Sequence, residues 1–374
     1  MKVLIPTETD DSHAKVVARA LEQRGHQVHL WYASDLPVRQ ALSLTFDGSR
    51  PTAAVRIAGD EISAEGPFDV VWLRRATQPM LPADMHPGDR EFATEEWTRF
   101  LRGAWQVLAP DAFWVNPWEN ALRAESKSRQ LAEATRVGFR IPETLCSNDP
   151  ARIREFLAKH ARGTIYKPFC TAQWKSDEGT AFLFTSEVRD GDLPSDEVLR
   201  LSPGIFQPLI PKSHELRVTM LGERAVAVRL DSQARASTRI DWRTGSYDMS
   251  ASPIALPEDI ESKCRRLMRA LGLAFGCIDL IVTPEDEFVF LEINQMGQFL
   301  WLEELLPELR LLDGFCTLLE SRRLDFEWHP SRATLSFATL YDPELEATLD
   351  SRHVESPMFQ CFAESPHRDD TSQP

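Results

Sequence analysis

The sequence predicts a mixed fold, an α/β module followed by α+β modules, on three observations. The first is a strand-helix-strand opening. Val3-Leu4-Ile5 reads as a short buried strand, Val16, Val17, Ala20 and Leu21 recur at helical spacing, and Val28–Tyr32 is the next strand. Strands joined through a helix lie parallel. The second is a pair of hairpin patterns in the second half, over 215–230 and 277–293. The third is size, because 374 residues exceed one small domain and fit two or three packed modules.

Each element follows from local signals. Asp10-Asp11-Ser12 offers N-cap side chains to the first helix, and Gly25 can end it. Residues 36–68 carry Pro and Gly punctuation and read as irregular. Asp69–Leu73 is a strand, 89–108 a helix and Phe113-Trp114-Val115 a short strand. Asn116-Pro117 opens a new segment: 118–137 reads as one helix ending at Gly138, Arg140–Thr144 as extended chain before and after Pro142, and 150–161 as a helix. Thr164–Pro168 is a strand whose expected partner is Ala181–Phe184, with Gly204–Gln207 another strand broken by Pro208 and Pro211. The 215–230 hairpin turns at Gly222-Glu223, and an amphipathic helix runs from Pro257 to Gly272. A helix follows over 311–323. Ala333–Leu340 has strand character, and the polar end at 367–374 is expected to fray. No internal repeat is evident.

Composition bounds the function. The net charge is −15, and the pI is near 5.1. Such a balance disfavours broad binding to nucleic acid or to an anionic membrane. An acidic surface serves solubility, and it also suits a basic peptide. Cys146, Cys170, Cys264, Cys277, Cys316 and Cys361 are scattered with no CxxC pair, so they read as reduced thiols rather than a disulfide or zinc framework. The opening residues lack a signal-peptide pattern and no apolar run reaches membrane-spanning length, which together point to a cytoplasmic protein.

The chemistry concentrates in the second hairpin. A turn at Pro284–Glu287 sets Thr283 opposite Phe288, and counting four residues along each strand sets Asp279 opposite Glu292. Two carboxylates facing across a strand pair repel, and a cation between them relieves the repulsion. Asn294 lies two residues further and shares the face. Carboxylate and amide oxygens form a hard-oxygen set suited to Mg²⁺ with substrate phosphates. The plain alternative is a half-exposed hairpin whose carboxylates face water. Lys127 falls in the helix after Asn116-Pro117, and Lys167 ends an otherwise apolar strand, where a buried ammonium calls for an anion. Either lysine alone also reads as an ordinary solvated residue. GxGxxG, the GxxxxGK[ST] loop and the kinase motifs are absent, so a nucleotide would need another architecture.

In order, NPWENALRAESK (116–127), GFRIPET (138–144), TIYKP (164–168), FQPLI (206–210), HELRVTMLG (214–222) and GCIDLIV…FVFLEINQMGQFLWLEE (276–304) resemble the ATP-grasp superfamily. The resemblance implies an N-terminal pre-ATP-grasp α/β domain at 1–115, ATP-grasp subdomains at 116–205 and 206–330, and an extension of unknown role at 331–374. It implies that Lys127 and Lys167 hold ATP phosphates. Gln207 and the backbone through Leu209 would form the adenine-side hinge, Glu215 would join the nucleotide site, and Asp279, Glu292 and Asn294 would hold Mg²⁺. The implied reaction makes an acyl phosphate and then passes the acyl group to an amine or hydroxyl. The loop at Phe169–Glu178 is less Gly-rich than in many members and carries Trp174 and Lys175.

Two stretches look like the graspetide synthetases, the microviridin-type peptide macrocyclases. They are Gly297–Glu303, and Asp231-Ser232-Gln233 followed by Arg239-Ile240-Asp241-Trp242-Arg243. Asp241-Trp242-Arg243 matches the DxR pattern tied to core-peptide binding in that family. The resemblance makes Arg243 the grip on a substrate carboxylate, with Asp241 orienting it and Arg217 reaching the phosphoryl or acyl group. Plain salt bridges are the alternative for Asp241 with Arg243 and for Arg217 with Glu215. The segment at Gln298–Trp301 reads either as core packing or as a wall of the acceptor pocket. The implied partner is a precursor peptide with a leader and an acidic core, and the implied assembly a homodimer. A RimK-like ligase that adds an amino acid to a small acid or a protein C-terminus competes with this reading. So does a non-catalytic nucleotide or peptide binder, against which retention of the lysines and metal-type oxygens argues.

Overall fold

The computed structural model describes residues 1–48, 52–57, 60–63, 68–75, 79–160, 162–169, 173–176, 179–182, 185–244, 249–343 and 353–354. The chain forms two compact units: Met1–Val115 with Thr334–Pro374, and Asn116–Ala333.

In the first unit, β1 (Lys2–Thr7), α1 (Ser12–Gln23) and β2 (Gln27–Tyr32) form the strand-helix-strand opening. The Asp11 carboxylate caps α1 by accepting from the Ala14 amide at 3.3 Å. Val16, Val17, Ala20 and Leu21 are fully buried on one side of the helix. Contrary to the irregular reading of 36–68, this stretch holds β3 (Gln40–Thr45), β4 (Thr52–Ile57) and β5 (Asp60–Ser63), a three-stranded antiparallel sheet. Pro and Gly between them mask the short strands. β6 (Val70–Trp72), α2 (Pro87–Leu108) and β7 (Phe113–Val115) complete this part, and the parallel sheet runs β2-β1-β6-β7.

Residues 334–343 and 353–354 group with this unit. In place of the strand expected at 333–340 stands a short helix at Phe337–Leu340. The Arg19 guanidinium donates to the Leu340 carbonyl at 3.1 Å, which closes the end of that helix. The buried Asp35 carboxylate accepts from the Val354 amide at 2.7 Å and bonds His353 Nδ1 at 2.6 Å. The fraying expected at 367–374 lies outside the described residues.

The second unit begins with α3 (Trp118–Ala124) and α4 (Lys127–Arg136). One continuous helix was expected over 118–137. Ser126 breaks it by turning extended and accepting from the Arg129 amide at 3.4 Å, the geometry of a new N-cap. β8 (Leu145–Ser147), α5 (Pro150–Lys159) and β9 (Thr164–Lys167) follow, then the hairpin β10 (Gln173–Ser176) with β11 (Gly179–Phe182), β12 (Ser186–Val188), α6 (Asp196–Leu201) and β13 (Gly204–Pro208). The four-stranded sheet runs β12-β9-β13-β8. Residues 181–182 therefore pair with β10, and the partners of β9 are β12 and β13. Leu183 and Phe184 lie outside the described residues.

A larger sheet follows: β14 (His214–Leu221), β15 (Arg224–Leu230), β16 (Ala251–Ile254), α7 (Glu258–Leu271), β17 (Phe275–Val282) and β18 (Phe288–Asn294), in the order β16-β15-β14-β17-β18. Strand alternation sorts its residues. Leu216, Val218, Met220, Ile278 and Leu280 pack in one core with Ile260, Cys264, Leu267 and Leu271 of α7 and Leu131 and Ala134 of α4. Glu215, Arg217 and Asp279 take the opposite face. Gly222, at φ 57°, makes the β14–β15 turn, where a Cβ would collide with the Leu324 carbonyl. α8 (Leu300–Leu305) and α9 (Leu311–Ser321) finish the unit, with Phe275, Phe299 and Phe315 packed at centroid separations of 5.1–5.2 Å.

Asn116 pins this unit from its first residue. Its Nδ2 donates to the carbonyls of Phe275 and Gln295 at 2.9 Å each. Its Oδ1 accepts from the amides of Ala274 and Phe275 at 2.7 and 2.9 Å. The side chain is buried, so removing it strands several backbone groups without water. Asn116→Ala is expected to cost about 3 kcal/mol or more, read as a lower urea midpoint.

Candidate active site

The face of the large sheet opposite its helices is charged. Asp279 of β17 lies opposite Glu292 of β18. The expected pairing thus holds, although the assumed turn does not. Val282, rather than Thr283, opposes Phe288, and Thr283 closes a longer turn by donating its amide to the Glu287 carbonyl at 3.0 Å. A bulge between the Asp279–Glu292 and Leu280–Phe290 pairs takes up one residue, Leu291, and restores the count. The bulge also lets Phe290 and Ile293 both face the apolar core while Glu292 faces the charged side.

Cations surround the two carboxylates. Arg217 Nη1 donates to both oxygens of Asp279, at 2.9 and 2.8 Å, with both side chains buried. Arg217 Nη2 donates to the Gln298 carbonyl at 3.2 Å. Arg243 Nη1 reaches Glu292 at 3.3 Å, and Lys127 Nζ lies 3.7 Å from the same carboxylate. Lys127 also donates to the Pro168 carbonyl at 3.1 Å, which ties the start of α4 to the end of β9, beside Lys167. A lysine in the first turn of a helix opposes the helix dipole, an arrangement that an anion reconciles. Asn294 is exposed, and its Oδ1 accepts from the Met296 amide at 3.1 Å.

The ionisation follows from this crowding. Burial, reinforced by Glu292, raises the Asp279 carboxyl to about 6 against the pull of Arg217. Burial opposes charge on Glu292 too, but Arg243, Lys127 and Lys167 prevail and its pKa is lowered. Burial, with Lys127 and Arg243 nearby, lowers the ammonium of Lys167. Asp241 is buried, which disfavours its charge. Bonds from Arg243 outweigh burial and hold it near 2, at 2.8 Å from Nε and 2.7 Å from Nη2, with the Thr185 amide at 3.4 Å.

A pocket opens beside this face. Lys167, Gln207, Leu209, Glu215, Asp241, Arg243, Asp279 and Glu292 line it together, so eight of the eleven expected site residues meet there. Arg217, Lys127 and Asn294 are not in the lining, and the first two touch it through Asp279 and Glu292. Gln207 donates Nε2 to the Thr144 hydroxyl at 3.0 Å, while its buried Oε1 has no hydrogen-bond partner among the described residues. The Leu209 amide already donates to the Gly163 carbonyl at 2.9 Å. Of the loop expected at Phe169–Glu178, residues 170–172 and 177–178 lie outside the described residues, and 173–176 form β10.

Sequence reasoning gave no role to three residues here. Lys212 lines the pocket and pairs with Glu215 at 2.8 Å. Thr185 lines it and bonds Asp241. Trp242 stacks on Trp301 with centroids 5.2 Å apart, and the Arg217 guanidinium sits 5.6 Å from its ring centre. Lys212 stands three residues before Glu215, a visible spacing, but a lysine beside Pro211 looks like a solvated loop residue.

Comparison with known proteins bears on the family. The family model of the MvdD pre-ATP-grasp domain matches residues 2–121. No curated protein matches. A solved RiPP-associated ATP-grasp ligase from Chryseobacterium gregarium, in complex with ADP and a leader and core peptide, is 29% identical at TM-score 0.77. The match covers 88% of this chain and 99% of that one. Macrocyclase MdnC from Microcystis aeruginosa, bound with precursor peptide MdnA, is 29% identical at TM-score 0.75, over 86% of this chain and 100% of that one. Macrocyclase MdnB from the same organism is 31% identical at TM-score 0.72, over 85% of this chain and 98% of that one. The chain belongs to the RiPP-associated ATP-grasp ligases, the graspetide-synthetase family.

As a member of this family it is an ATP-dependent ligase with the ATP-grasp fold and an N-terminal pre-ATP-grasp domain. The oxygen donors fit a magnesium ion on grounds of charge. Two carboxylates share one face, and burial, reinforced by Glu292, raises the Asp279 carboxyl, so a dication beside the pair would favour its ionised form. Among the described residues no three His, Cys, Asp or Glu side chains gather into a metal cage. Among the described residues no helix is long and apolar enough to cross a membrane.

The depressed Asp241 gives a pH signature. Its folded value lies below the unfolded one, so its stabilisation is present above about pH 4 and is lost as pH falls towards 2. Asp241→Asn is expected to lower stability at pH 7 by about 2 kcal/mol. The gap between variant and native enzyme closes on acidification, as measured by denaturant titrations from pH 7 to 2.5.

Proposed function

We propose that this ligase is a peptide macrocyclase. It phosphorylates Asp or Glu side chains of a ribosomal precursor peptide and joins them to Ser, Thr or Lys side chains as esters or amides. The observation that carries this reading is the position of Arg243. Its guanidinium is fixed by Asp241 and stands 3.3 Å from Glu292, at the edge of the nucleotide and metal locus. A planar fork is suited to a carboxylate. A substrate carboxylate held there would meet the phosphoryl group. The relatives whose structures hold ADP with leader and core peptide, or a precursor peptide, support the choice of substrate.

In this reading Lys127 and Lys167 bind the ATP phosphates, since each already leans on the anionic Glu292. Gln207, Leu209 and Glu215 hold the adenine and ribose side, where the Gln207 Oε1 awaits a donor. Asp279, Glu292 and Asn294 hold Mg²⁺, which when bound offsets charge on the transferring phosphoryl group. The peptide carboxylate takes the terminal phosphoryl group and ADP leaves. The peptide amine or hydroxyl then attacks the acyl carbon and phosphate leaves. Each ring removes one water from the peptide. Arg217 keeps Asp279 ionised and faces the transferring group. The homodimer and the cytoplasmic compartment belong to the same proposal.

Incubation of the enzyme with ATP, Mg²⁺ and the precursor peptide encoded beside it is expected to lower the peptide mass in steps of one water. A mass gain equal to an amino acid would move the protein to the RimK-like ligases. Arg243→Lys is expected to lower kcat/KM for the peptide on the order of 100-fold, the scale of one lost oriented donor, with ADP affinity retained in calorimetry. Asn294→Ala is expected to abolish turnover, and full activity in that variant would exclude the metal assignment.

A further inference from the structure

Lys212 lies in the segment between β13 and β14, and its side chain is 6% exposed. A buried ammonium needs acceptors for its donors. Two are identified. Nζ donates to Glu215 Oε1 at 2.8 Å and to the Ile240 carbonyl at 3.1 Å. The first contact is on the nucleotide side of the pocket. The second is the backbone directly before Asp241-Trp242-Arg243. Among the residues of the site, Lys212 therefore bonds to both functional groups at once.

The Asp241–Arg243 loop is otherwise held by its surroundings. Thr185 binds Asp241, Trp301 stacks on Trp242, and Arg243 meets Glu292. These contacts position the loop against the phosphate and metal locus. They do not involve Glu215. Among the described residues, the Lys212 ammonium bonds both to Glu215 and to the backbone before this loop.

We propose that Lys212 is a positioning residue that couples nucleotide binding at Glu215 to the placement of Arg243 for the substrate carboxylate. The inference rests on the assignment of Glu215 and Arg243 above. A ribose hydroxyl donating to the Glu215 carboxylate competes with the ammonium for the same oxygens. Nucleotide in the pocket also excludes water, which strengthens the remaining pull of the ammonium on the Ile240 carbonyl. The loop settles with Arg243 directed to the substrate, so nucleotide and peptide favour each other's binding. Such linkage is reciprocal, and a factor on the order of 10 is typical.

The Trp242–Trp301 stack reports on this loop. The first measurement uses the unmodified enzyme: tryptophan fluorescence with AMPPNP and Mg²⁺, and with Trp242→Phe to assign the change. The second measures precursor-peptide affinity with and without AMPPNP. Expected are a Trp242-dependent change with nucleotide alone and about tenfold tighter peptide binding with it. Lys212→Gln, whose side chain is neutral and one atom shorter, is expected to bind AMPPNP in calorimetry yet lose the fluorescence change, with the peptide affinity ratio near one. Lys212→Arg, with several donors, is expected to restore both. A merely structural lysine would weaken binding without changing the ratio. Absence of the response in the unmodified enzyme overturns the proposal even if the Gln variant fails to fold, and so does a Gln variant with full coupling. A peptide that does not bind at all counts against the macrocyclase reading, whereas the nucleotide-only fluorescence still decides the role of Lys212.

Discussion

Two carboxylates that stand opposite each other on adjacent strands, mostly withdrawn from water, impose the constraint around which the second unit is built. Asp279 and Glu292 repel, and burial worsens the repulsion. The protein answers with positive charge from four different elements. Arg217 comes from β14, Lys127 from the start of α4, Lys167 from the end of β9 and Arg243 from the loop after β15. Each is drawn to the same patch, which brings together β14, the start of α4, the end of β9 and the loop after β15. Two buried like charges are costly in isolation, and the four cations offset that cost.

The rest of the unit makes the patch rigid. Strand alternation gives β14 and β17 an apolar face for α4 and α7 and a charged face for the site. Asn116 fastens the first helix of the unit to β17 and the residues after β18. The bulge at Leu291 is the local exception that allows both faces at once. Without it, Phe290 and Glu292 would share a face, and either the core or the carboxylate pair would be lost. The contacts continue into the loop: the Trp242 ring lies beside the Arg217 guanidinium, which is bonded to Asp279.

The sequence by itself determined what rests on local chemistry. The alternation of β14, β17 and β18, the Gly222 turn, the Asp11 cap and the amphipathic α7 are written in residues near one another in the chain, and the ordered motifs around Lys127, Lys167, Asp279 and Glu292 carried the family. The Asp279–Glu292 pairing was legible only because a five-residue turn and a one-residue bulge offset each other, and neither has a sequence signature here. What only the tertiary structure decided depends on partners distant in sequence. β9 pairs with β12 and β13 because hydrogen bonds choose neighbours in space, and apolar composition at 181–184 does not say which strand it will meet. Ser126 splits the helix so that Lys127 starts a new one against the end of β9. The strands in 36–68 and the short helix at 337–340 depend on sheet and helix neighbours that their own composition does not specify. Lys212 looked like a loop lysine until folding buried it between Glu215 and Ile240, since burial and the identity of a second acceptor are properties of the packed chain and not of its spelling.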